Sequence, residues 1–362
     1  MGANLVDKFR QSMTNHDEST VVLPEGGMKP EPRIQAAPIE TPQTIAFLIV
    51  PQFSMLAFVS AVEPLRVANR LAGRELYRWV VVSRDGKSVT ASNGMSLLAD
   101  HGLDDKLDVT LAVVCAGFEP ERYFDRVLRK WLTGLNSHSV DLGAIDTGSF
   151  FLAWAGLLDG YRATTHWEGL DSFREAFPKV EGDNGLFVID RNRLTCAGGT
   201  AALDMMLHLI SLQHGHRLAA AASEQFIHAR IRPPSDRQRM EPPARQGVTH
   251  PGLSQALSLM EQNLEEPLDA AALAKKAGLS LRQLERLFHR HFSMTPHRYY
   301  LDLRLQRARA LLQYSDLAVV EIAVASGFAS PAHFSRAYRS WAGKAPTEER
   351  RRTQGGIMPT LR

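Results

Sequence analysis

Cysteine is nearly missing from this 362-residue chain: Cys115 and Cys196 are the only two. Two thiols cannot make a disulfide framework, so the fold must rest on its apolar core, and a cytoplasmic setting is expected. Long apolar runs are missing too. No run of 18 apolar residues occurs, so no membrane span is expected. The N-terminal segment has no continuous apolar stretch, so no secretion signal is expected. Metal-ligand spacings are also lacking, and no metal or cofactor is expected; His208, His214 and His216 read as helix-end surface residues. What remains, 44% hydrophobic and 22% charged, is ordinary for a globular protein of two or three domains.

The net charge of +3 is unevenly spread. Residues 251–362 hold 16 Lys+Arg against 10 Asp+Glu, while the rest holds 26 against 29. Residues 1–42 are polar, with prolines at 24, 30, 32, 38 and 42, and read as a mobile tail. From Thr44 the chain changes character. Ile45–Val50 is the continuous apolar run expected of a parallel strand covered on both faces. Further strands are expected at Trp79–Val82, Thr110–Val114 and Leu142–Ile145. Helices are expected at Met55–Arg70, Arg122–Leu132, Phe150–Leu158, Thr200–Gln213 and Leu218–Arg230. Alternating strands and helices predict a doubly wound α/β domain. Ile231–Pro251 carries five prolines and few apolar residues, which reads as a linker. The expected partition is a tail to 42, an α/β sensory half over 43–230, a linker over 231–250, an all-α half over 251–350 and a tail over 351–362.

The all-α half holds one pattern twice. Gly278 and Gly327 lie 49 residues apart, and beyond them the offset becomes 50, pairing Ser280 with Ser330, Leu284 with Phe334, Arg286 with Arg336 and Phe288 with Tyr338. Each unit reads as helix, glycine turn, serine N-cap and second helix. Leu284, Leu287, Phe288 and Phe292 should face inward in the first unit, and Phe334, Ala337 and Tyr338 in the second. Arg282, Glu285, Arg286 and His289 then face out, as do Ala332, His333, Arg336 and Arg339. Two such units can place two helices in successive major grooves of double-stranded DNA. A long helix over Pro296–Leu312 would set their spacing. The residues Gly278-Leu279-Ser280, Arg286-Leu287-Phe288, Arg304-Leu305, Ala308, Ile322-Ala323, Gly327-Phe328, Ser330, Phe334-Ser335-Arg336 and Pro346 resemble the AraC/XylS family of transcriptional regulators. That resemblance implies DNA contacts from Ser280, Arg282, Glu285, Arg286, Ser330, Ala332, His333 and Arg336, with Arg286 and Arg336 as base readers, and RNA polymerase as a partner.

In the α/β half, Ile145-Asp146-Thr147-Gly148-Ser149 joins a strand to a helix. Such a junction lifts one side chain above the sheet, as in a nucleophile elbow. The stretch Ala155–Trp167 resembles the DJ-1/PfpI branch of the class I glutamine amidotransferase-like fold, and residues 44–230 resemble the sensory half of GlxA-type regulators. In the enzymatic relatives the elbow residue is a cysteine, supported by an acid and a histidine. Here it is Asp146, no acid stands near Leu56–Ala57, and His166 alone remains. The resemblance therefore implies a ligand site without catalytic residues, made from Phe53, Asp146, Thr147, Gly148, His166 and Trp167. The other reading of Asp146 is a plain helix cap. A rival enzyme reading pairs a reactive Cys115 with His138 or His166, against a buried, inert thiol. Gly198-Gly199 reads as a turn.

Phe53, Phe118, Phe150, Phe151, Trp154 and Trp167 are expected near the carboxyl ends of the strands, with two or three lining the pocket. Aromatic faces beside Asp146 suit a cationic group, and Thr147, His166 or a backbone amide would meet its carboxylate. The strings Phe53-Ser54-Met55, Ala61–Arg70 and Ala91–Met95 resemble the regulator of glycine betaine catabolism within this family. The implied protein is an activator of quaternary-amine catabolism working as a homodimer, with carnitine or arginine as alternative effectors. A DJ-1-like hydrolase and an effector-free architectural DNA binder are the other classes left open.

Overall fold

The computed structural model describes residues 41–239, 248–315 and 317–354. The N-terminal tail through residue 40, residues 240–247 of the expected linker and the C-terminal end from 355 lie outside the described residues.

The α/β half opens with β1 (Gln43–Ile49), α1 (Met55–Ala72) and β2 (Tyr77–Val82), then a small hairpin of β3 (Val89–Thr90) and β4 (Ser96–Leu97). β5 (Leu111–Cys115), α2 (Arg126–Ser137), β6 (Asp141–Ile145) and α3 (Gly148–Trp154) follow. Next come β7 (Arg162–Ala163), α4 (Leu170–Ala176), β8 (Glu181–Gly182), β9 (Phe187–Asp190) and β10 (Arg193–Cys196). α5 (Ala201–His214) and α6 (His216–Gln225) close the half. The main sheet has the order β2-β1-β5-β6-β10-β9, parallel throughout except for β9 against β10.

The run Ile45–Ile49 is fully buried, because both sheet faces are covered. Ile45, Phe47 and Ile49 meet α1 and α5, whereas Ala46 and Leu48 meet the layer of α2 and α3. The expected doubly wound architecture is present. The order of winding reverses between β1 and β5, so a crevice is expected beyond their carboxyl ends and that of β6.

Several boundaries differ from expectation. The helix expected from Arg122 starts at Arg126, because Asp125 accepts the amides of Val127 and Leu128; residues Pro120–Arg122 form a separate 3-10 turn. α3 stops at Trp154 rather than Leu158, with Gly156 in the left-handed region at φ +74°. α6 ends at Gln225 rather than Arg230, where Ile227 turns at φ +54°. His208 and His214 are half-buried against Phe187 and Tyr77, not free surface residues.

The helical half comprises α7 (Pro251–Gln262), α8 (Ala270–Lys276), α9 (Leu281–Phe292), α10 (Pro296–Tyr314), α11 (Val319–Ala325), α12 (Pro331–Ala342) and α13 (Pro346–Gln354). The repeat extends past the expected pairs: α10 and α13 both open on proline, at 296 and 346. Each unit has its own core. Leu253, Leu257, Leu273, Leu284 and Phe288 fill the first, and Leu305, Leu312, Ile322, Phe334 and Tyr338 the second. α10 runs from one core into the other, since Tyr300 belongs to the first and Leu311 to the second.

Candidate functional site

The junction after β6 is an elbow. Asp146 stands at φ +62°, in the left-handed region that Asp and Asn adopt more readily than other non-glycine residues. Its surroundings hold it there. The Asp146 amide donates to the Cys196 carbonyl at 2.9 Å, and the Thr165 hydroxyl donates to the Asp146 carbonyl at 2.9 Å. Gly148 then lies so close to β5 that a Cβ there would sit 2.2 Å from the Val114 carbonyl oxygen. Gly198, at φ +93°, completes the fit: a Cβ on it would come within 2.9 Å of the Asp146 carboxylate. The glycine pair is therefore a turn that makes room for the elbow side chain.

Asp146 keeps partial exposure, but protein surrounds its carboxyl closely. Burial pushes the carboxyl up to about 7; the Thr147 backbone amide pulls it down and the nearby Glu168 charge adds to the rise. His166 is held below the usual imidazole range by burial, partly offset by Glu168, and favours the neutral ring. Its ring lies 5.4 Å from that of Trp167.

The remaining expected site residues divide. Thr147 is buried and donates its hydroxyl to the Gly117 carbonyl at 2.5 Å, so that proton is committed to the scaffold. Gly148 supplies close approach rather than a side chain. Phe53 is fully buried and meets Phe58 edge-on at 6.0 Å, inside the core between α1 and the sheet. Phe150 and Phe151 are likewise core residues, packed with Phe173, Phe124 and Trp154. Of the six aromatics expected near the strand ends, Phe118 and Trp167 are the exposed ones, at 56% and 39%. Both line a cavity of about 760 Å³, whose wall also includes Glu168, Asp171, Arg239 and Arg307.

Cys115 and Cys196 are both fully buried, at sheet positions flanking Ile145 in register. Burial pushes both thiols up, Cys196 to about 12, so neither supplies a thiolate near neutral pH. The rival pairing of Cys115 with His138 or His166 has no support in this geometry. Among the described residues, no group of three His, Cys, Asp or Glu side chains is placed to hold a metal.

In the helical half, the two turns form as the repeat requires. Gly278 and Gly327 adopt φ +67° and +75°. Ser280 accepts the Gln283 amide and forms a reciprocal capping box with its side chain, and Ser330 accepts the His333 amide at 3.2 Å. Leu284, Leu287 and Phe288 are buried on α9, and Phe334 and Tyr338 on α12. Phe292 and Ala337 are half-buried against the same cores. Arg282, Glu285, Arg286 and His289 are exposed on α9, as are Ala332, His333, Arg336 and Arg339 on α12. Buried Arg304 braces the second turn: its guanidinium donates to the carbonyls of Ser326 at 2.9 Å and Gly327 at 2.6 Å, over the Phe328 ring.

Sequence reasoning missed the polar residues that tie 228–239 to the α/β half. The fully buried Asp204 carboxylate accepts from His228 at 2.8 Å and from the Arg232 guanidinium at 2.6 Å. The Gln238 side-chain amide donates to Thr164 Oγ1 at 2.9 Å, the Thr165 carbonyl at 3.0 Å and the Gly185 carbonyl at 2.9 Å. A proline-rich polar segment carries no local sign of such docking.

Residues 43–212 match the DJ-1/PfpI family, and residues 273–352 match a helix-turn-helix domain. The chain is 49% identical over 308 residues to the HTH-type transcriptional regulator CdhR of Pseudomonas aeruginosa, covering 85% of this chain and 91% of that protein. It is 48% identical over 309 residues to GbdR of the same species, covering 85% and 84%. To GlxA of Rhizobium meliloti it is 40% identical over 312 residues, covering 86% and 96%.

Proposed function

Because the chain belongs to the AraC-type helix-turn-helix transcriptional regulators that carry a DJ-1/PfpI-like domain, we propose that it activates quaternary-amine catabolism genes in response to a cationic amino-acid derivative. Glycine betaine and dimethylglycine come first among its effectors, with carnitine and arginine as alternatives. The observation that carries this reading is Asp146 on its left-handed elbow, a carboxylate where the thiol chemistry of the fold would need cysteine. A cation beside it offsets the cost of burying the carboxylate, and the Trp167 ring, on which Arg239 now sits at 4.0 Å, offers cation–π attraction to a cation that takes that place. A neutral His166 can donate one ring N–H to the carboxylate of the same ligand.

Residues 43–230 sense, 251–350 bind DNA and 231–250 connect them in this reading. Arg286 and Arg336 read base edges, while Arg282, Glu285, Ala332 and His333 lie beside them on the outer helix faces. Ser280 and Ser330 hold the two helix N-termini in a form suited to phosphate. The chain acts as a homodimer through the α/β half and contacts RNA polymerase. The effector acts by preferring one of two arrangements of the halves. The hydrolase reading is not favoured, since both thiols are sealed in the core.

Calorimetric titration of the full chain with glycine betaine, dimethylglycine, carnitine and arginine tests the proposal. Saturable binding of one of them, lost in Asp146→Ala, is expected. Binding that survives Asp146→Ala moves the site elsewhere, and no binding of any removes the cation reading.

A further inference from the structure

The segment leaving the α/β half doubles back onto the rim of the candidate effector site. Its first anchor is Arg232, whose backbone amide and guanidinium meet the buried Asp204 carboxylate at 2.7 and 2.6 Å. The Leu186 amide then donates to the carbonyls of Pro234 at 2.9 Å and Asp236 at 3.1 Å. Gly185 pairs with Arg237, and a Cβ on Gly185 would lie 2.4 Å from the Pro234 carbonyl oxygen, so the strap seats only over glycine. Gln238 bonds to Thr164, Thr165 and Gly185. The next residue, Arg239, holds its guanidinium carbon 4.0 Å from the centroid of the Trp167 ring.

These contacts form one path. Asp146 is bonded to Thr165, Thr165 to Gln238, and Arg239 sits on Trp167. Downstream, Val248 is buried in the core of the first helix-turn-helix unit. The cavity lined by Trp167 and Arg239 also has Glu168 and Asp171 on its wall, and Leu303 and Arg307 of α10 contribute from the DNA-binding half. Arg239 thus covers the Trp167 ring at a cavity whose wall carries acidic side chains, a setting that suits an organic cation; Asp146 and His166 are not on that wall, and the link to them runs through Thr165 and Gln238.

We infer that Arg239 is an internal cation holding the place of the effector's cationic group on Trp167, so that effector binding releases the strap that leads into the DNA-binding half. The inference rests on the cation-binding reading above. Its physics is competition: a cation entering the cavity must displace a guanidinium already there, and the strap then loses its contact with Trp167 while those of Arg232 through Gln238 remain. Ligand occupancy would reach the DNA-binding half through the freedom of residues 237–239, with no change needed in the sheet. An exposed cation–π contact supports an effect of about two- to five-fold on affinity.

The test uses the full-length chain, glycine betaine as ligand, calorimetry for affinity and hydrogen–deuterium exchange for the strap. Arg239→Gln should bind glycine betaine about two- to five-fold more tightly than wild type, and its strap amides should exchange faster without ligand. Arg239→Lys should stay near wild type in both readouts. Saturating wild type with glycine betaine should bring strap exchange to the Arg239→Gln level. Equal or weaker binding by Arg239→Gln, or strap exchange unchanged at saturation, overturns the inference while leaving the effector site intact. No binding of glycine betaine to wild type overturns the inference together with its ligand.

Discussion

Replacing Asp146 by asparagine should stabilise the protein wherever an aspartate in the unfolded chain is ionised, by an amount that grows up to about pH 7. The side chain is nearly isosteric, so the elbow backbone and the fit over Gly198 are kept. An aspartate in the unfolded chain loses its proton near 3.8, and Asp146 in the fold near 7. Below pH 4 both states are protonated and the group contributes nothing unfavourable. Between pH 4 and 7 the unfolded state ionises while the folded state holds its proton, so stability falls as pH rises. Above 7 the full cost is present. At 1.36 kcal/mol per pH unit over roughly three units, the ceiling is ~4 kcal/mol. Urea denaturation of wild type and Asp146→Asn at pH 5, 6, 7 and 8 gives the readout. The advantage of Asp146→Asn should be roughly 1.5 kcal/mol at pH 5, should grow by about 1.36 kcal/mol per unit and should level off above pH 7. A difference between the two proteins that stays flat across this range would refute the argument. A site that costs stability in its working charge state is what a ligand-binding role requires, because the ligand's cation can recover that cost.

The two turn glycines should differ in how they tolerate alanine. A Cβ at Gly278 meets nothing within 4 Å, so only the left-handed backbone is strained and a loss of about 1 kcal/mol is expected. At Gly327 the Cβ would also sit 2.5 Å from the Leu264 carbonyl oxygen, so Gly327→Ala should melt well below Gly278→Ala in a thermal scan. Arg304→Ala removes both charged donors from the second turn and should cost roughly 2–4 kcal/mol, read by denaturation followed through tryptophan fluorescence, since Trp341 packs on the second core. Asp204→Ala leaves Arg232 and His228 without their shared carboxylate; a loss of about 3–5 kcal/mol and faster proteolysis within 228–239 are expected.

The sequence made some features legible for plain physical reasons. The unbroken run Ile45–Val50 matches the pattern of a strand covered on both faces, and the Asp146 junction followed from a strand meeting a glycine before a helix. The helix-turn-helix repeat was legible because each unit needs glycine at its turn, serine at its cap and an aromatic two turns on. The β9–β10 hairpin escaped notice because its strands are four residues each and its turn, Asp190–Arg193, is charged. Aromatic identity was a poor guide to the pocket: Phe53, Phe150 and Phe151 turn inward, and only packing decides which way a ring at a strand end faces. Gly156 could have marked the end of α3. The docking of 231–239 left no local trace, since Asp204, Gln238 and Arg239 find their partners only in the folded chain.

The central claim is that the two exposed helices α9 and α12 read DNA sequence. Fluorescence anisotropy of the full chain on a duplex from its own target promoter, and on a scrambled duplex at the same salt, tests it most directly. Arg286→Ala and Arg336→Ala should each lose about 1–3 kcal/mol on the promoter duplex and far less on the scrambled one. Equal losses on both duplexes would mean that these arginines touch only phosphate, and would contradict the claim.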